Sequence, residues 1–290
     1  MIVITGATGQ LGSGVIENLI QKGYDPSNII ALARSEEKAQ SLKAKGVQIN
    51  IGDYNDYSSL VEAFKEADKL LFISSNEMEN RAEQQVSTVK AAAEAGVQHI
   101  FYTSIQRKSD MPDSPINFVT NSHIATEKAI YESGMNYTLL RNNLYMDILP
   151  WVLGENVAET GVFYPANDGQ IAYALRSDMA EATANILMSE NHENKEYNLS
   201  NSANFSFGMV ADHLSDLFGK KVNYVNPNAD VYKETMLNAG AAPMVVEMLA
   251  GFAQGAAQGE FEAGKSDLAK LLGRDAVTYK EFLNGMYATR

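Results

Sequence analysis

The chain has 290 residues, enough for one large α/β unit or a large domain carrying a smaller one, and 45% of them are hydrophobic. Its 23 Lys and Arg against 36 Asp and Glu give a net charge of −13, which argues against nucleic acid or an anionic membrane as a main partner. With no cysteine, thiolate nucleophiles, disulfides and cysteine zinc sites are excluded, and any anionic ligand must be caught by a local cluster of cations.

The first half alternates regularly. "MIVITGA" reads as a short buried strand, and "QLGSGVIENLIQKG" as a helix with apolar residues at Leu11, Val15, Leu19 and Ile20. Strands are expected at "NIIALAR", "VQINIGDY", "DKLLFISS", "VQHIFYTSI" and "MNYTLLRNN", each separated from the next by a helical stretch. Such alternation predicts an α/β fold, a Rossmann-type doubly wound parallel sheet with helices on both faces. After Asn143 the rhythm loosens. "GVFYPANDGQIAYAL" suggests an antiparallel or irregular stretch, "RSDMAEATANILMSE" a helix, and "KEYNLSN" a strand returning to the sheet. The expected division is a dinucleotide-binding domain over 1–150, with segments at about 176–200 returning to it, and a smaller C-terminal substrate lobe over most of 151–290. No apolar run approaches the roughly 18 residues of a membrane span, and strand-like "IVITG" begins without a basic leader. A cytoplasmic protein is expected.

Gly6, Gly9 and Gly12 lie at three-residue spacing between the first strand and the first helix. This is a GxxGxxG variant of the dinucleotide fingerprint: a tight turn, a close backbone approach to pyrophosphate, and close packing of the helix on the sheet. The helix N-terminus offers unpaired N–H groups and partial positive charge, with Thr5, Thr8 and Gln10 as added donors. At the end of the second strand, where a carboxylate would bond the ribose of NAD, stands "ALARSEEK". Arg34 occupies that place and Lys38 follows at i+4, a pair suited to the 2′-phosphate of NADP. The competing reading is a solvated cation beside Glu36 and Glu37.

Together "ITGATGQLGSGVIENL", "ALARSEEKAQSL", "GDYND", "KLLFISS", "AAAEAGVQHIFYTSI", "HIATEKAI", "YTLLRNNLYMDIL" and "DGQIAYALRSDMAEATANIL" resemble the NmrA-like branch of the atypical short-chain dehydrogenases. Within that branch the chain is most similar to bacterial NADPH:quinone oxidoreductases, which are related to triphenylmethane reductases. The resemblance implies an NADP(H)-binding Rossmann domain, a small-molecule quinone-like substrate, and hydride transfer without flavin. It places cofactor contacts at Gly6, Thr8, Gly9, Gln10, Leu11, Gly12, Arg34 and Lys38. To these it adds Asp53 and Tyr54 after the third strand, Ser74 and Ser75 after the fourth, and Thr103 and Ser104 at the end of the fifth. It also puts Lys128 near the nicotinamide ribose, and Asn142, Asn143 and Tyr145 on the substrate side. A homodimer is compatible with it.

Ordinary short-chain dehydrogenases place a Tyr four residues before a Lys, and none of the 14 tyrosines here has that partner. Four residues before Lys128 stands Ile124, with His123 just ahead. An alkoxide approaches the basicity of deprotonated water, pKa about 15.7, and demands a strong local acid. A quinone taking hydride leaves a phenolate-type oxygen of pKa about 10, which a modest hydrogen-bond donor can stabilise. Four residues are thus candidates for the chemistry. Lys128 would position the ribose or be a surface helix lysine, His123 would donate a proton or be a solvated helix residue, and Asn143 would bind the acceptor oxygen or cap the strand end. Tyr145 would wall the acceptor pocket, with Met146, Ile148, Leu149 and Trp151 following it. Arg141 inside a strand reads as structural. His99, His123, His192 and His213 show no ligand spacing, so no metal is expected. Two other readings stay open: a redox sensor that binds NADP(H) without turnover, and a reductase of dyes or other conjugated electrophiles.

Overall fold

The computed structural model describes residues 1–77, 79–108, 110 and 113–287. The first part runs β1 (Ile2–Ile4), α1 (Gln10–Gln21), β2 (Ile29–Ala33), α2 (Glu36–Lys43), β3 (Gln48–Ile51) and α3 (Tyr57–Phe64). It continues with β4 (Lys69–Phe72), α4 (Arg81–Glu94), β5 (His99–Ile105), α5 (Asn117–Glu132) and β6 (Asn136–Asn142). Then come α6 (Leu149–Leu153), α7 (Val157–Thr160), β7 (Val162–Phe163), α8 (Arg176–Met188), β8 (Lys195–Leu199) and α9 (Phe207–Phe218). The chain closes with β9 (Tyr224–Val225), α10 (Ala229–Asn238), α11 (Pro243–Ala257), α12 (Leu268–Leu272) and α13 (Tyr279–Tyr287).

Seven strands form one sheet in the order β3-β2-β1-β4-β5-β6-β8, and every pairing in it is parallel. Covered on both faces, β2 and β5 are buried along their whole length, which is why they read as near-continuous apolar runs. Beneath one face lie Leu11, Val15, Leu19, Met179, Ala182 and Leu268 of α1, α8 and α12. On the other, Leu60, Phe64, Val89, Ala92 and Ile130 of α3, α4 and α5 pack on Val3, Leu70, Phe72 and Tyr102. The return of the chain is as expected: β8 pairs with β6 from Thr138↔Lys195 to Asn142↔Leu199.

The stretch expected to be antiparallel or irregular is mostly irregular: it opens with β7, two residues long and parallel to β9. Only one antiparallel bridge, Ile171↔Phe205, lies near it among the described residues. The remaining helices enclose a third core of Tyr164, Tyr173, Phe207, Tyr232, Leu249 and Phe261. This lobe is tied to the carboxyl ends of β5 and β6. Asn143 Nδ2 donates to Phe261 O at 3.0 Å, Tyr145 bridges to Ala174, and Glu260 accepts from Lys108 N and Ser114 Oγ at 3.1 and 2.9 Å. Among the described residues no helix is long and apolar enough to cross a membrane.

Candidate active site

Strand order reverses between β1 and β4, so a crevice opens outside the carboxyl ends of the strands there. The chain leaves β1 through Gly6, whose φ of +58° is the left-handed region that suits glycine. Gly9 N–H closes the turn on Gly6 O at 3.0 Å, and α1 begins at Gln10 with Gly9 as its N-cap. No side chain caps this helix and no acidic residue lies in its first turn, so its leading N–H groups and dipole are left for an anion. A Cβ at Gly12 would stand 2.4 Å from Gly6 O and 2.8 Å from Ala7 Cα. Gly12 therefore packs the helix against its own entry turn rather than against the sheet. Thr8 and Gln10 are exposed, while Leu11 is buried in the core and has only its backbone to offer. Thr5 is not a free donor, because its hydroxyl donates to Leu71 O at 3.4 Å while its oxygen accepts the Ile73 N–H at 2.9 Å.

Arg34 is exposed one residue beyond β2, and Lys38 is exposed on α2. Glu36 pairs with Lys43 at 3.6 Å rather than with Arg34, and among the described residues neither Arg34 nor Lys38 has an ion-pair partner. Because α2 begins only at Glu36, Arg34 lies outside it, and helical spacing does not join the two cations as expected. The cradle at Gly12, the open helix end and the free Arg34 together fit a dinucleotide carrying an extra phosphate.

The other cofactor candidates mainly knit the crevice wall. Asp53 Oδ1 accepts from Asn55 N and Nδ2 at 2.8 and 3.1 Å. Tyr54 Oη donates to Ile73 O at 2.8 Å, joining the ends of β1 and β4, and burial pushes its phenol pKa up. Ser74 N–H donates to Thr103 Oγ1 at 2.9 Å, linking β4 to β5, and Ser75 N–H donates to Gln85 Oε1 at 3.3 Å. Ser104 Oγ donates to Glu127 at 2.5 Å.

Two of the expected catalytic residues are displaced from the site. Lys128 is on the outer face of α5, 74% exposed, 3.9 Å from Glu132 and beside a surface groove shared with Val86, Val89 and Lys90 of α4. It therefore cannot position a ribose at the strand ends. Asn143 is buried and fully engaged: Nδ2 donates to Phe261 O and to Gln106 Oε1 at 3.3 Å, and Oδ1 accepts from Leu144 N at 2.8 Å. It is a structural clamp, with nothing left for an acceptor oxygen.

His123 is neither solvated nor a proton donor to substrate. It is 3% exposed, with Nε2 3.0 Å from an Arg81 Nη and Nδ1 2.8 Å from Tyr102 Oη. Burial, then the charge of Arg81, hold its pKa well below the ordinary histidine value, so it is neutral. Tyr145 lies just beyond β6, at the carboxyl edge of the sheet. Half-buried after β6, it has Oη 3.3 Å from Asn142 Nδ2 and its ring 4.2 Å beneath the guanidinium of Arg176. Burial raises its pKa, keeping the phenol protonated. Of the residues after it, Met146, Ile148 and Leu149 are buried, whereas Trp151 is 63% exposed and walls nothing.

Arg81 and Glu127 had no signal in the sequence. Glu127, 4% exposed, accepts from Arg107 at 2.8 Å and Arg141 at 3.0 Å, besides Ser104. Burial would raise its pKa, but the bonds from Arg107, Arg141 and Ser104 hold it down to about 2. Arg141 is structural, as expected. Among the described residues no group of three or more His, Asp or Glu side chains is placed to hold a metal ion.

A parallel sheet with an anion-ready glycine turn at its switch point defines the class: a Rossmann-type dinucleotide-binding α/β protein with a second lobe. The NmrA-like family model matches residues 1–283, and the chain belongs to that family. It is 37% identical over 289 residues to quinone oxidoreductase 2 of Escherichia coli (strain K12), covering 99% of each chain. It is 29% identical to the NAD(P)H azoreductase of Xenophilus azovorans, over 97% of this chain and 96% of that one. The structure of the Citrobacter sp. triphenylmethane reductase complexed with NADP(H) superposes with a TM-score of 0.91 at 37% identity, covering 98% of this chain and 99% of that one. The E. coli quinone oxidoreductase complexed with NADPH gives 0.89 at 36% identity, covering 99% of this chain and 100% of that one.

Proposed function

We propose that the chain is an NADPH-dependent reductase that delivers hydride directly to a small quinone-like acceptor, without flavin. The observation that carries this reading is Arg34, a cation at the end of β2 without an ion-pair partner among the described residues, acting with the uncapped N-terminus of α1. In a chain of net charge −13 they form a local anion trap. Relatives of similar length act as NAD(P)H oxidoreductases, and the site here is built for the same class of cofactor.

NADPH, when bound, supplies the hydride. The N–H groups at the start of α1 and the guanidinium of Arg34 would hold its phosphates, and the Gly6–Gly12 turn would let the backbone come close. Tyr145 and the second lobe shield the acceptor from water. A quinone that takes hydride becomes a hydroquinone monoanion, and one proton from solvent completes the hydroquinone. Tyr145 keeps its proton and can bond the developing oxyanion. We place the protein in the cytoplasm, as a candidate homodimer, with its two domains dividing near residue 150.

The test is steady-state oxidation of NADPH by flavin-free protein with a panel of small quinones, beside NADH. Quinone-dependent oxidation that is faster with NADPH supports the reading. Tight NADPH binding with no turnover of any quinone overturns it in favour of a sensor.

A further inference from the structure

Arg107, Arg141, Arg176 and Arg274 each have a carboxylate partner: Glu127 for the first two, Asp147 at 3.8 Å for the third, and Asp178 with Glu181 for the last. Arg81 has none among the described residues, although it is half-buried. It opens α4, directly after Asn80, whose φ of +56° turns the chain from the end of β4 into the helix. Its Nε is buried with no acceptor.

What Arg81 does touch is neutral. A guanidinium only donates, so His123 Nε2 accepts from it at 3.0 Å and the imidazole proton sits on Nδ1. That proton points to Tyr102 Oη at 2.8 Å, and Tyr102 donates in turn to Gln85 Oε1 at 3.2 Å. Gln85 Oε1 also accepts the Ser75 N–H, so the chain of bonds ends on backbone just past β4. The network aims the guanidinium without neutralising it. Tyr102 and Tyr145, both protonated, lie within electrostatic reach of Arg81, and Tyr145 follows β6 at the carboxyl edge of the sheet. The guanidinium of Arg176, paired with Asp147, lies over the Tyr145 ring at 4.2 Å. A buried charge without a counter-ion is costly, and such arrangements gather where charge is used. A guanidinium with a buried, unpartnered N–H and no counter-ion among the described residues calls for an acceptor atom brought by a ligand.

We infer that Arg81 selects the electron acceptor: its guanidinium bonds an oxygen of a molecule that is neutral or anionic on entry and negative once reduced, and it disfavours molecules that enter as cations. The inference rests on the reductase reading of the same site. A quinone gains hydride and becomes a monoanion, which Arg81 stabilises before one proton from solvent completes the hydroquinone. A cationic triarylmethane dye gains hydride and becomes neutral, so it meets repulsion on entry and gains nothing afterwards.

The experiment compares native protein with Arg81→Met and Arg81→Lys, each as its NADPH complex. The acceptors are a neutral benzoquinone, a sulfonated naphthoquinone and crystal violet, a cationic triarylmethane dye. Thermal melts confirm folding. Arg81→Met is expected to lower kcat for the benzoquinone about tenfold or more. It should raise KM for the sulfonated quinone, leave NADPH affinity within about twofold, and leave or raise kcat/KM for crystal violet. Arg81→Lys should keep part of the quinone activity. An activity-free arm measures 4-nitrophenolate binding to the NADP+ complex, expected to weaken about tenfold in Arg81→Met and to persist in Arg81→Lys. Equal losses for quinone and dye, or unchanged nitrophenolate binding, would overturn the assignment. A native protein that reduces none of the acceptors would overturn the reductase reading instead, and nitrophenolate binding would then decide Arg81 alone.

Discussion

Arg34 and Lys128 are both lysine-or-arginine candidates drawn from the sequence, and their surroundings decide between them. Arg34 has no counter-ion among the described residues and stands where β2 ends, so its charge is available to a phosphate. Arg34→Ala should weaken NADPH binding about tenfold or more, the equivalent of roughly 1.5–3 kcal/mol for a charged hydrogen bond. NADH affinity should stay within about twofold in the same fluorescence titration, and equal losses would contradict the assignment. Lys128 lies five residues beyond buried His123, about 140° around the helix, which carries it to the outer face. Its exposure was legible from spacing only once His123 was known to be inside. Asn143→Ala should lower the melting temperature by several degrees, since buried partners lose their bonds at roughly 1–3 kcal/mol each. Its effect on stability should exceed its effect on quinone KM, whereas Lys128→Ala should change neither; kinetics and melts on both variants check this. Arg81 escaped notice because Glu77, Glu79 and Glu83 flank it in sequence, yet none of them pairs with it in the fold.

Among elements, the turn into α1 was readable because each glycine has a local reason that spacing exposes. Gly12→Ala would force a Cβ to 2.4 Å from Gly6 O, and backbone cannot yield cheaply there. Overpacking of this kind costs about 1–3 kcal/mol and would tilt α1 off the turn. The expected outcome is a lower melting temperature together with NADPH affinity reduced about tenfold or more, and a variant that binds normally would count against the cradle. The seven strands of the sheet and the return of β8 were legible for the same reason, as runs long enough to show a period. The pair β7 and β9 was not, because two residues carry no periodicity and their parallel pairing is set by the lobe's packing. Beneath the site, Glu127 joins α5 to β5 and β6 through Ser104, Arg107 and Arg141. With its pKa depressed to about 2, its contribution to stability is full above the ordinary carboxylate range and is lost as pH falls toward 2. That contribution is on the order of 3 kcal/mol. In acid titrations followed by circular dichroism, native protein should lose stability between about pH 4.5 and 2 more steeply than Glu127→Gln. The variant should already be weaker at neutral pH, where breaking a buried pair costs about 3–5 kcal/mol. Parallel titration curves would show that Glu127 is not the group responsible.

At the scale of the molecule, an acidic chain leaves a few cations without an ion-pair partner among the described residues and places them toward the carboxyl edge of its sheet. Arg34 follows β2, Lys38 lies on α2, and Arg81 opens α4 beyond β4. The second lobe, joined through Asn143, Tyr145 and Glu260, closes the side on which the acceptor would lie. The account's central claim is direct reduction of a quinone by NADPH at this edge. The most direct measurement mixes flavin-free protein anaerobically with NADPH and then with a benzoquinone, following both by absorbance, with and without added FMN or FAD. The account predicts one NADPH consumed per quinone reduced, at a rate that added flavin leaves unchanged. Bound NADPH that stays reduced in the presence of quinone, or turnover that begins only when flavin is added, would contradict it.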